Sequence, residues 1–537
     1  MRRRQHVWCR YREAPSLRRG LRPYHVQKDR AGTWEIQPHP PEWSPAGVAS
    51  EGKPELVASR LEVGPAHSTA EAMEGNDMVE GRGRPVGNTL EPAKGQTQRW
   101  QPLLPHLQRV NAAASATGRT RFTALLHHVD VAALERAFRR QRRAASPGVD
   151  RVTMDQYEQD LEGNLLRLHA RVHGGQYWPK PVLRAYIPKA DGSKRPLGLP
   201  TLEDKIVQGA VAEVLNAIYE ADFLGFSYGF RPARSAHKAL SALDRALMTR
   251  NVNWVLDIDI RNFFDTVDHG WLMRMLAHRI ADRRVLRLIE RWLGAGVLEG
   301  GQWKAAETGT PQGSGISPIL ANLFLHYVVD LWVHQWRQRR AGGQIVIVRY
   351  ADDMVIGCQN EGDAKELLAA LTERLNQFGL AIHEGKTRLI AFGRRVARQR
   401  ELSGTRRPEA FDFLGFTHYC DKTRNGRFTV KKKTQSKRMI RKLKALRSEM
   451  KERLHLPMRE QHQWLCQVLR GHYGYYGVVF NYRSMERFRH LVGKLWFLAL
   501  RRRSQRAKRT WEWFEELLTV FPLPKPVIHQ RWFGARA

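Results

Sequence analysis

Apolar residues recur at helical spacing in several long segments of this chain. They repeat every three or four positions over residues 122–138 and 154–168, which predicts two helices. A third helix is predicted over 202–219, with Thr201 as its N-cap, and a fourth over 364–378. These helices lie on both sides of short apolar segments with a different period.

The short segments alternate or run continuously apolar, as strands do. Residues 182–187 predict one strand of a basic hairpin, and residues 254–260 predict a second, more buried strand. Residues 345–350 and 354–357 predict two further strands around a tight turn at 351–353. Helices that alternate with antiparallel strands indicate an α+β fold.

The character of the chain changes along its length, which predicts four regions. Residues 1–100 mix Arg, Pro, Gly and Glu without lasting periodicity, and we expect little ordered structure there. Residues 101–250 and 251–420 hold the predicted helices and strands. Residues 421–537 are predicted to be helical, and residues 431–460 alone carry 12 basic and 3 acidic side chains.

Charge points to the class of partner. The chain has 89 Lys and Arg against 53 Asp and Glu, a formal net charge of +36, which favours nucleic acid as the partner over a small acidic substrate.

Its four cysteines form no C-x-x-C pair, so a thiolate zinc site is not expected, and a reducing compartment is expected. The most apolar stretch, residues 315–333, is interrupted by polar residues and predicts a buried helix, with no membrane partner. No secretory signal is recognisable, and we expect a cytoplasmic bacterial protein associated with the nucleoid rather than an organellar one.

Three aspartates stand where a carboxylate is costly unless a cation neutralises it. Asp259 lies on a predicted strand between isoleucines, and Asp352 and Asp353 occupy the turn of an apolar hairpin. Mg²⁺ prefers carboxylate and phosphate oxygens, and two such ions support in-line nucleotidyl transfer. Asp257 faces the same side of its strand and on spacing alone competes with Asp259. A lone Asp-Asp pair more often caps a turn, but the strand and hairpin context favours a metal site.

These residues belong to a set of motifs that resembles the reverse transcriptases encoded by group II introns. Tyr350-Ala351-Asp352-Asp353 is similar to the Y-A-D-D box of that family. The other motifs occur in the expected order and together extend over about 122–525: Ile187 to Pro200, Phe226 to Pro232, Asp259 to His269, Thr310 to Pro318, and Phe413-Leu414-Gly415-Phe416. The resemblance implies a right-hand polymerase with fingers, a palm built on an antiparallel sheet, and a helical thumb called domain X.

The resemblance also implies roles for individual residues. Two Mg²⁺ ions would be held by Asp259, Ile260, Asp352 and Asp353, with Asp259, Asp352 and Asp353 as the catalytic acids. The residues that would contact the incoming nucleotide are Lys189, Arg195, Phe263 or Phe264, and Gln312. Lys386 matches a position proposed as the acid for the leaving pyrophosphate. The structural alternatives are a solvated basic turn for Lys189 and Arg195, a core aromatic for Phe263 or Phe264, and a surface lysine for Lys386.

The basic region after residue 430 implies contacts with intron RNA and the template duplex. The predicted RNA-binding residues are Lys431, Lys432, Lys433, Arg470, Arg501, Arg502 and Arg503. The tyrosines of Leu469-Arg470-Gly471-His472-Tyr473-Gly474-Tyr475-Tyr476 could equally pack between thumb helices.

Three functions fit this sequence. The first is an RNA-directed DNA polymerase and maturase of a mobile group II intron, with intron RNA, template RNA, primer DNA and dNTPs as partners. The second is an RNA-binding splicing cofactor that does not polymerise, and the third is a reverse transcriptase adapted by its host for defence or repair. All three acids are present, which favours an enzyme. No cysteine-rich tail follows Cys466, so endonuclease cleavage of a second strand is not expected.

Overall fold

The computed structural model describes residues 104–188, 194–310, 313–503 and 509–530, together with the backbone of two short N-terminal strands. The side chains of Pro188 and Arg195 are outside this description. The two N-terminal strands pair antiparallel, and Met1–Glu74 forms a unit separate from Gly75–Ala537. They are β1 (His25–Lys28) and β2 (Trp34–Gln37). The rest of the region predicted to have little order, up to residue 100, lies outside the described residues.

The first part of the larger unit is mainly helical. Its elements are α1 (Pro105–Thr117), α2 (Val131–Arg139), α3 (Met154–Glu158), α4 (Leu161–His173), β3 (Val182–Pro188), β4 (Lys194–Leu199), α5 (Leu202–Tyr219) and α6 (Ala236–Thr249). The predicted bounds of α5 are confirmed, and the Thr201 side chain caps it by accepting a hydrogen bond from the Asp204 N–H. The helix predicted over 154–168 is two helices, because Asp160 accepts from the Gly163 N–H and starts a new one.

The middle part supplies all the strands of one four-stranded sheet and, together with β3 and β4 of the first part, completes a second. Its elements are β5 (Trp254–Ile258), α7 (Phe263–Thr266), α8 (His269–Arg279), α9 (Arg283–Leu293), β6 (Val297–Glu299), β7 (Gln302–Lys304), α10 (Ser317–Leu325), α11 (Leu331–Arg339), β8 (Ile345–Tyr350), β9 (Asp353–Cys358), α12 (Glu361–Asn376), β10 (Arg388–Ala391) and α13 (Arg394–Leu402). The palm sheet is antiparallel, in the order β10-β5-β9-β8. The fingers sheet has the order β4-β3-β6-β7, with β3 and β6 parallel.

The last part begins with a small sheet and continues as helices. Its elements are β11 (Phe411–Phe413), β12 (Phe416–Lys422), β13 (Phe428–Thr434), α14 (Ser436–Glu452), α15 (Met458–Tyr476), α16 (Tyr482–Arg502) and α17 (Trp511–Val520). The helical region therefore starts at Ser436, later than the pattern predicted. After α17 the chain returns along the thumb, where the His529 N–H donates to the Gly477 carbonyl at 2.8 Å and the Gln530 amide bonds Ser241 of α6.

Three apolar cores hold these parts together. One joins the N-terminal helices to one face of the palm sheet, and the second joins the other face to α6 and the small sheet. The third lies within the thumb helices. The predicted α+β class with an antiparallel palm and a helical C-terminal region is confirmed. Within the described chain, no helix is both long and apolar enough to cross a bilayer.

The basic run Lys431–Lys432–Lys433 lies on strand β13 rather than on a helix, so its side chains alternate between two faces. The Lys432 side chain is only 2% exposed and forms an ion pair with Asp244 of α6. Lys431 pairs with Asp421 at 2.9 Å, and Lys433 is exposed beside the Tyr419 ring. The prediction that Lys432 binds RNA is therefore wrong, because its ammonium group is buried and already neutralised.

Replacing Lys432 tests this assignment. We expect Lys432→Met to lower the free energy of unfolding by about 2 kcal/mol, because it leaves the Asp244 carboxylate without its partner. Lys433→Met, at the exposed neighbour, is the matched control and should leave stability within about 0.5 kcal/mol of wild type. Denaturant unfolding of both variants measures the difference. Equal stability of the two would contradict a structural role for Lys432.

Candidate active site

Strand register brings the predicted catalytic acids together. Strand β5 pairs antiparallel with β9, with Asp257 opposite Val355 and Ile258 opposite Met354. Continuing this register by one residue sets Asp259 opposite Asp353. Tyr350 pairs with Asp353 across the β8–β9 hairpin, so Ala351 and Asp352 form its two-residue turn. The acids separated by more than ninety positions in sequence thus meet at one edge of the palm sheet.

The meeting of these acids is visible in their electrostatics. The pKa of Asp353 is raised to about 6, first by the neighbouring atoms that displace water around its carboxyl group and then by the charges of Asp352 and Asp259. Part of the Asp353 side chain remains exposed to solvent. Burial likewise raises the pKa of Asp257 to about 6, against the opposing effect of Arg388. The raised pKa of Asp353 and Asp257, caused first by burial and then by other acids, indicates that this cluster is short of positive charge.

Two basic side chains from one neighbouring segment reach this cluster. The Lys386 ammonium group lies 2.7 Å from the Asp259 carboxylate, and Arg388 lies 3.3 Å from Asp257. The same segment supports the strand end, because Asp259 accepts a backbone hydrogen bond from His383 at 2.8 Å. Lys386 is exposed, but it lies inside the site rather than on an unrelated surface.

Directly under the hairpin turn lies a buried ion pair between Arg349 and Asp330. The Arg349 side chain is 1% exposed and donates to both Asp330 oxygens, at 2.7 and 2.5 Å. It also donates to Asn322 at 3.1 Å, to Ser227 at 2.7 Å and to the Ala351 carbonyl at 2.9 Å. One guanidinium group therefore joins the catalytic turn to three other parts of the chain.

The helix beneath the turn is adapted to this contact. Between α10 and α11, residues His326–Asp330 form a π-helical segment, a deviation often found near functional sites. Asn322 of α10 also donates to the Gly229 carbonyl at 2.6 Å. Polar side chains in an otherwise apolar helix thus face the catalytic hairpin.

The turn itself is strained and closely packed. Ala351 has a φ of 56°, a conformation that costs a residue with a Cβ about 1 kcal/mol. Gly229 lies against it so closely that a Cβ at position 229 would be 2.2 Å from the Ala351 nitrogen. Ser227 pairs in parallel with Arg349, which places residues 226–229 beside β8 as an extra edge. These contacts hold the turn in its conformation.

Comparison with known proteins identifies this arrangement. The family described as "Reverse transcriptase (RNA-dependent DNA polymerase)" matches residues 187–418, which include both strands that carry the acids. Protein YkfC of Escherichia coli is 34% identical over 303 residues, covering 49% of this chain and 79% of that protein. Group II intron-encoded protein LtrA of Lactococcus lactis is 39% identical over 197 residues, covering 36% of this chain. This chain belongs to the reverse transcriptases, and it is similar to those encoded by group II introns.

The extent of these similarities differs among the relatives. The matched part spans 32% of the length of LtrA, and 32% of a putative COX1/OXI3 intron 1 protein of Saccharomyces cerevisiae that is 29% identical. A solved structure of telomerase from Candida albicans with a fragment of telomeric RNA aligns with a TM-score of 0.38 and 13% identity over 69% of this chain and 64% of that one. A similarity that low supports no conclusion about this reverse transcriptase.

Reverse transcriptases use divalent metal ions, and the donor set here fits that requirement. Asp259, Asp352 and Asp353 offer the hard carboxylate oxygens that Mg²⁺ prefers, and their excess negative charge is the feature that a cation would neutralise. In the described part of the chain, no three His, Cys, Asp or Glu side chains are already arranged to hold a metal ion. Lys386 provides part of the positive charge at Asp259.

The predicted nucleotide contacts are placed as follows. Lys189 and Gln312 lie outside the described residues. The backbone of Arg195 pairs with Ile187 in the β3–β4 hairpin of the fingers sheet. Phe263 is buried in the core against Phe324, whereas Phe264 is half-buried. Of the two phenylalanines, Phe264 is therefore the one with surface left to contact a nucleotide.

The loop that follows Gln312 is fixed to the fingers of the reverse transcriptase. A Cβ at Gly313, which has a φ of 113°, would lie 2.4 Å from the Gly198 carbonyl of β4. The buried Gln208 of α5 accepts from the Ser314 hydroxyl at 2.7 Å and the Gly315 N–H at 3.0 Å. Backbone approach this close is available only to glycine.

The thumb meets the palm through aromatic packing. Tyr475 and Tyr476 stack around Phe416, and the Tyr475 hydroxyl donates to the Leu414 carbonyl at 2.8 Å. Tyr473 is buried within the thumb. The packing alternative for these tyrosines is therefore the one observed. The predicted RNA contacts Arg470, Arg501, Arg502 and Arg503 are all exposed on α15, α16 or just after α16.

Sequence reasoning missed the residues that support the acids. Arg349, Asp330, Asn322, Ser227 and Gly229 were given no role, and Arg388 was not paired with Asp257. The polar residues that interrupt the apolar stretch 315–333 could have indicated this network, because a polar residue in a buried helix needs a hydrogen-bond partner.

Removing Arg349 separates positioning from stability. We expect Arg349→Met to lower the free energy of unfolding by about 3–5 kcal/mol, because it leaves Asp330 buried and unpaired. The double variant Arg349→Met/Asp330→Leu should recover most of that stability, since neither charge remains. DNA synthesis should stay impaired in the double variant, because the Ala351 carbonyl has lost its donor. A stable double variant with wild-type synthesis would show that the ion pair does not position the turn.

Proposed function

We propose that this chain is an RNA-directed DNA polymerase that copies intron RNA into DNA by nucleotidyl transfer on two Mg²⁺ ions. The observation that carries the proposal is the β5–β9 register, which ends with Ile258 opposite Met354, so that Asp259, Asp353 and the Ala351–Asp352 turn follow at neighbouring strand ends. The family membership supports the same reaction class. A splicing cofactor without polymerase activity would have no need of these acids.

The residues have separable roles in this proposal. Asp259 and Asp352, with Asp353 and the Ile260 carbonyl beside them, would hold the metal ions. When bound, such ions lower the pKa of the attacking primer hydroxyl and neutralise charge on the transferred phosphoryl group. Arg349 fixes the turn that presents Asp352. Lys386, whose ammonium group lies 2.7 Å from the Asp259 carboxylate, would donate a proton to the leaving pyrophosphate.

The incoming dNTP would bind between the palm and the fingers. Lys189 and Arg195 would bind the triphosphate, because an ammonium group and a planar guanidinium group both bind phosphate oxygens. Phe264 would contact the sugar and exclude a ribonucleotide, and Gln312 would contact the incoming nucleotide. These are the contacts that the motif resemblance implies.

We also propose that the protein assists splicing of its intron as a maturase in the bacterial cytoplasm. The exposed arginines Arg470, Arg501, Arg502 and Arg503, together with Lys431 and Lys433, give the thumb a basic surface for intron RNA. This role does not require the catalytic acids. The two functions are therefore separable by mutation.

A primer-extension assay on an RNA template tests the polymerase. We expect Asp352→Asn to reduce extension by at least about 10³-fold, because the variant keeps the side-chain shape but loses a charged ligand. Asp363→Asn, in the first turn of α12 and half-buried, is the matched control and should extend like wild type.

The same pair of variants tests the maturase in a splicing assay with the flanking intron. Asp352→Asn should still promote splicing, which would show that RNA binding survives without polymerisation. Undiminished extension by Asp352→Asn would overturn the polymerase proposal, whatever the splicing result.

Phe264 tests the sugar contact. We expect Phe264→Val to increase incorporation of ribonucleotides relative to deoxyribonucleotides by about tenfold or more, because a smaller side chain leaves room for the 2′-hydroxyl. The ratio of kcat/KM for rNTP and dNTP measures this effect. Phe263→Leu, in the core, is the control and should change stability but not the ratio. An unchanged ratio in Phe264→Val would refute the assignment.

A further inference from the structure

Helix α9 carries a row of arginines without acidic partners. Arg283, Arg287 and Arg291 recur every four residues and so lie along one side of the helix. Arg283 and Arg287 are exposed, and none of the three forms an ion pair within the described residues. Arg284 differs, because it pairs with Asp282 at 3.1 Å. The row spans about 12 Å, at 1.5 Å per residue.

The row ends beneath an exposed tryptophan. The Arg291 guanidinium carbon lies 3.9 Å from the centroid of the Trp178 ring. Arg291 is fixed there because it donates to the carbonyls of Gly175 at 3.2 Å and Tyr177 at 2.7 Å. Trp178 is nevertheless 69% exposed. Its ring is thus supported on one face by a cation and open to solvent on the other.

A second exposed tryptophan contacts the connection between α9 and β6. Trp303 of β7 is 57% exposed, and its indole N–H donates to the Ala295 carbonyl at 3.3 Å. Its ring lies over Gly296, where a Cβ would be 2.4 Å from the indole nitrogen. The Val182 N–H donates to the Gly296 carbonyl at 3.0 Å, which ties the segment after Trp178 to the same connection. The Trp303 ring is therefore held in place by backbone contacts and the Trp178 ring by Arg291, although both rings are exposed.

We propose that Arg283, Arg287, Arg291, Trp178 and Trp303 form a binding surface for single-stranded nucleic acid outside the polymerase cleft. Unpaired arginines suit a chain of phosphates, and open indole rings suit unpaired bases, which stack on aromatic faces whatever their sequence. Arg291 beneath Trp178 adds a cation–π contact that favours this stacking.

The charge of the surface and its exposed rings favour single-stranded nucleic acid as the ligand. Glu290 is the single acid among the eleven residues of α9, so an acidic or polyanionic partner is favoured. Duplex nucleic acid hides its bases from flat rings, so the two tryptophans favour a single strand.

The proposed surface shares no residue with the candidate active site. Trp303 lies on the fingers sheet, whereas the acids lie at the ends of palm-sheet strands. The proposal goes beyond polymerisation and requires no catalysis. It can therefore be tested on a chain that does not synthesise DNA.

Photo-crosslinking gives the direct test. The full Asp352→Asn chain is mixed with a short single-stranded RNA that carries thiouridine, irradiated and digested for mass spectrometry. We expect nucleotide adducts on peptides that contain Trp178 or Trp303. Adducts confined to palm and thumb peptides would overturn the proposal. A single-stranded DNA probe in parallel shows whether the surface discriminates the sugar, and an adduct at either ring with either probe supports the proposal.

Equilibrium binding by matched variants of the same chain tests base stacking and phosphate binding separately. Trp178→Leu should weaken binding of the RNA by about fivefold or more, and Trp178→Phe should recover most of it, because only the aromatic variant can stack. Arg287→Gln should reduce the slope of log affinity against log salt by about 0.7, the loss of one phosphate contact. Arg284→Gln, on the same helix but paired with Asp282, is the control and should leave the slope unchanged.

These outcomes are independent of catalysis. Equal affinity for Trp178→Leu, Trp178→Phe and the parent chain, with equal slopes for both arginine variants, would refute the surface. Failure of primer extension by the wild-type chain would instead refute the proposed polymerase and leave these binding results intact.

Discussion

The active site of this protein depends on a buried charge that is completely paired. A guanidinium group removed from water is tolerated only when its donors all find acceptors, and Arg349 finds them in Asp330, Asn322, Ser227 and the Ala351 carbonyl. These partners come from different segments of the chain. The geometry of the catalytic turn is therefore set by long-range contacts, and the strained Ala351 persists because its surroundings leave it no alternative.

The carboxylates next to this network, unlike Arg349, are not fully paired. Burial, and after it the neighbouring carboxylates, raise the pKa of Asp353 and of Asp257, and Lys386 and Arg388 offset only part of the negative charge at this end of the palm sheet. A supporting layer whose charges are paired, beneath carboxylates that are short of positive charge, would suit the metal-ion site proposed above. The same division explains why the support lies in buried helices and the ligands lie on strand ends.

Local pattern was sufficient to predict much of this structure. Helix α5, the strands of the palm and the hairpin around Asp352 follow from periodicity and turn chemistry, which depend on neighbouring residues. The ion pairs Arg349–Asp330 and Lys432–Asp244 were not predictable in this way, because their partners are 19 and 188 positions apart and only packing brings them together. Lys432 is the clearest case in which local pattern misleads, because alternate side chains of a basic run on a strand point into the protein. Trp178 was missed because exposure is a property of the fold and not of composition.

The return of the chain after α17 constrains how this polymerase can admit a double helix. The hydrogen bonds of His529 to Gly477 and of Gln530 to Ser241, with Tyr475 and Tyr476 packed on Phe416, join the last helices to α6 and to the small sheet. Swinging those helices outward as a lever would break both sets of contacts together. We therefore expect the last helices to move as one unit with α6 and the small sheet, and a bound duplex would have to fit that unit as it stands.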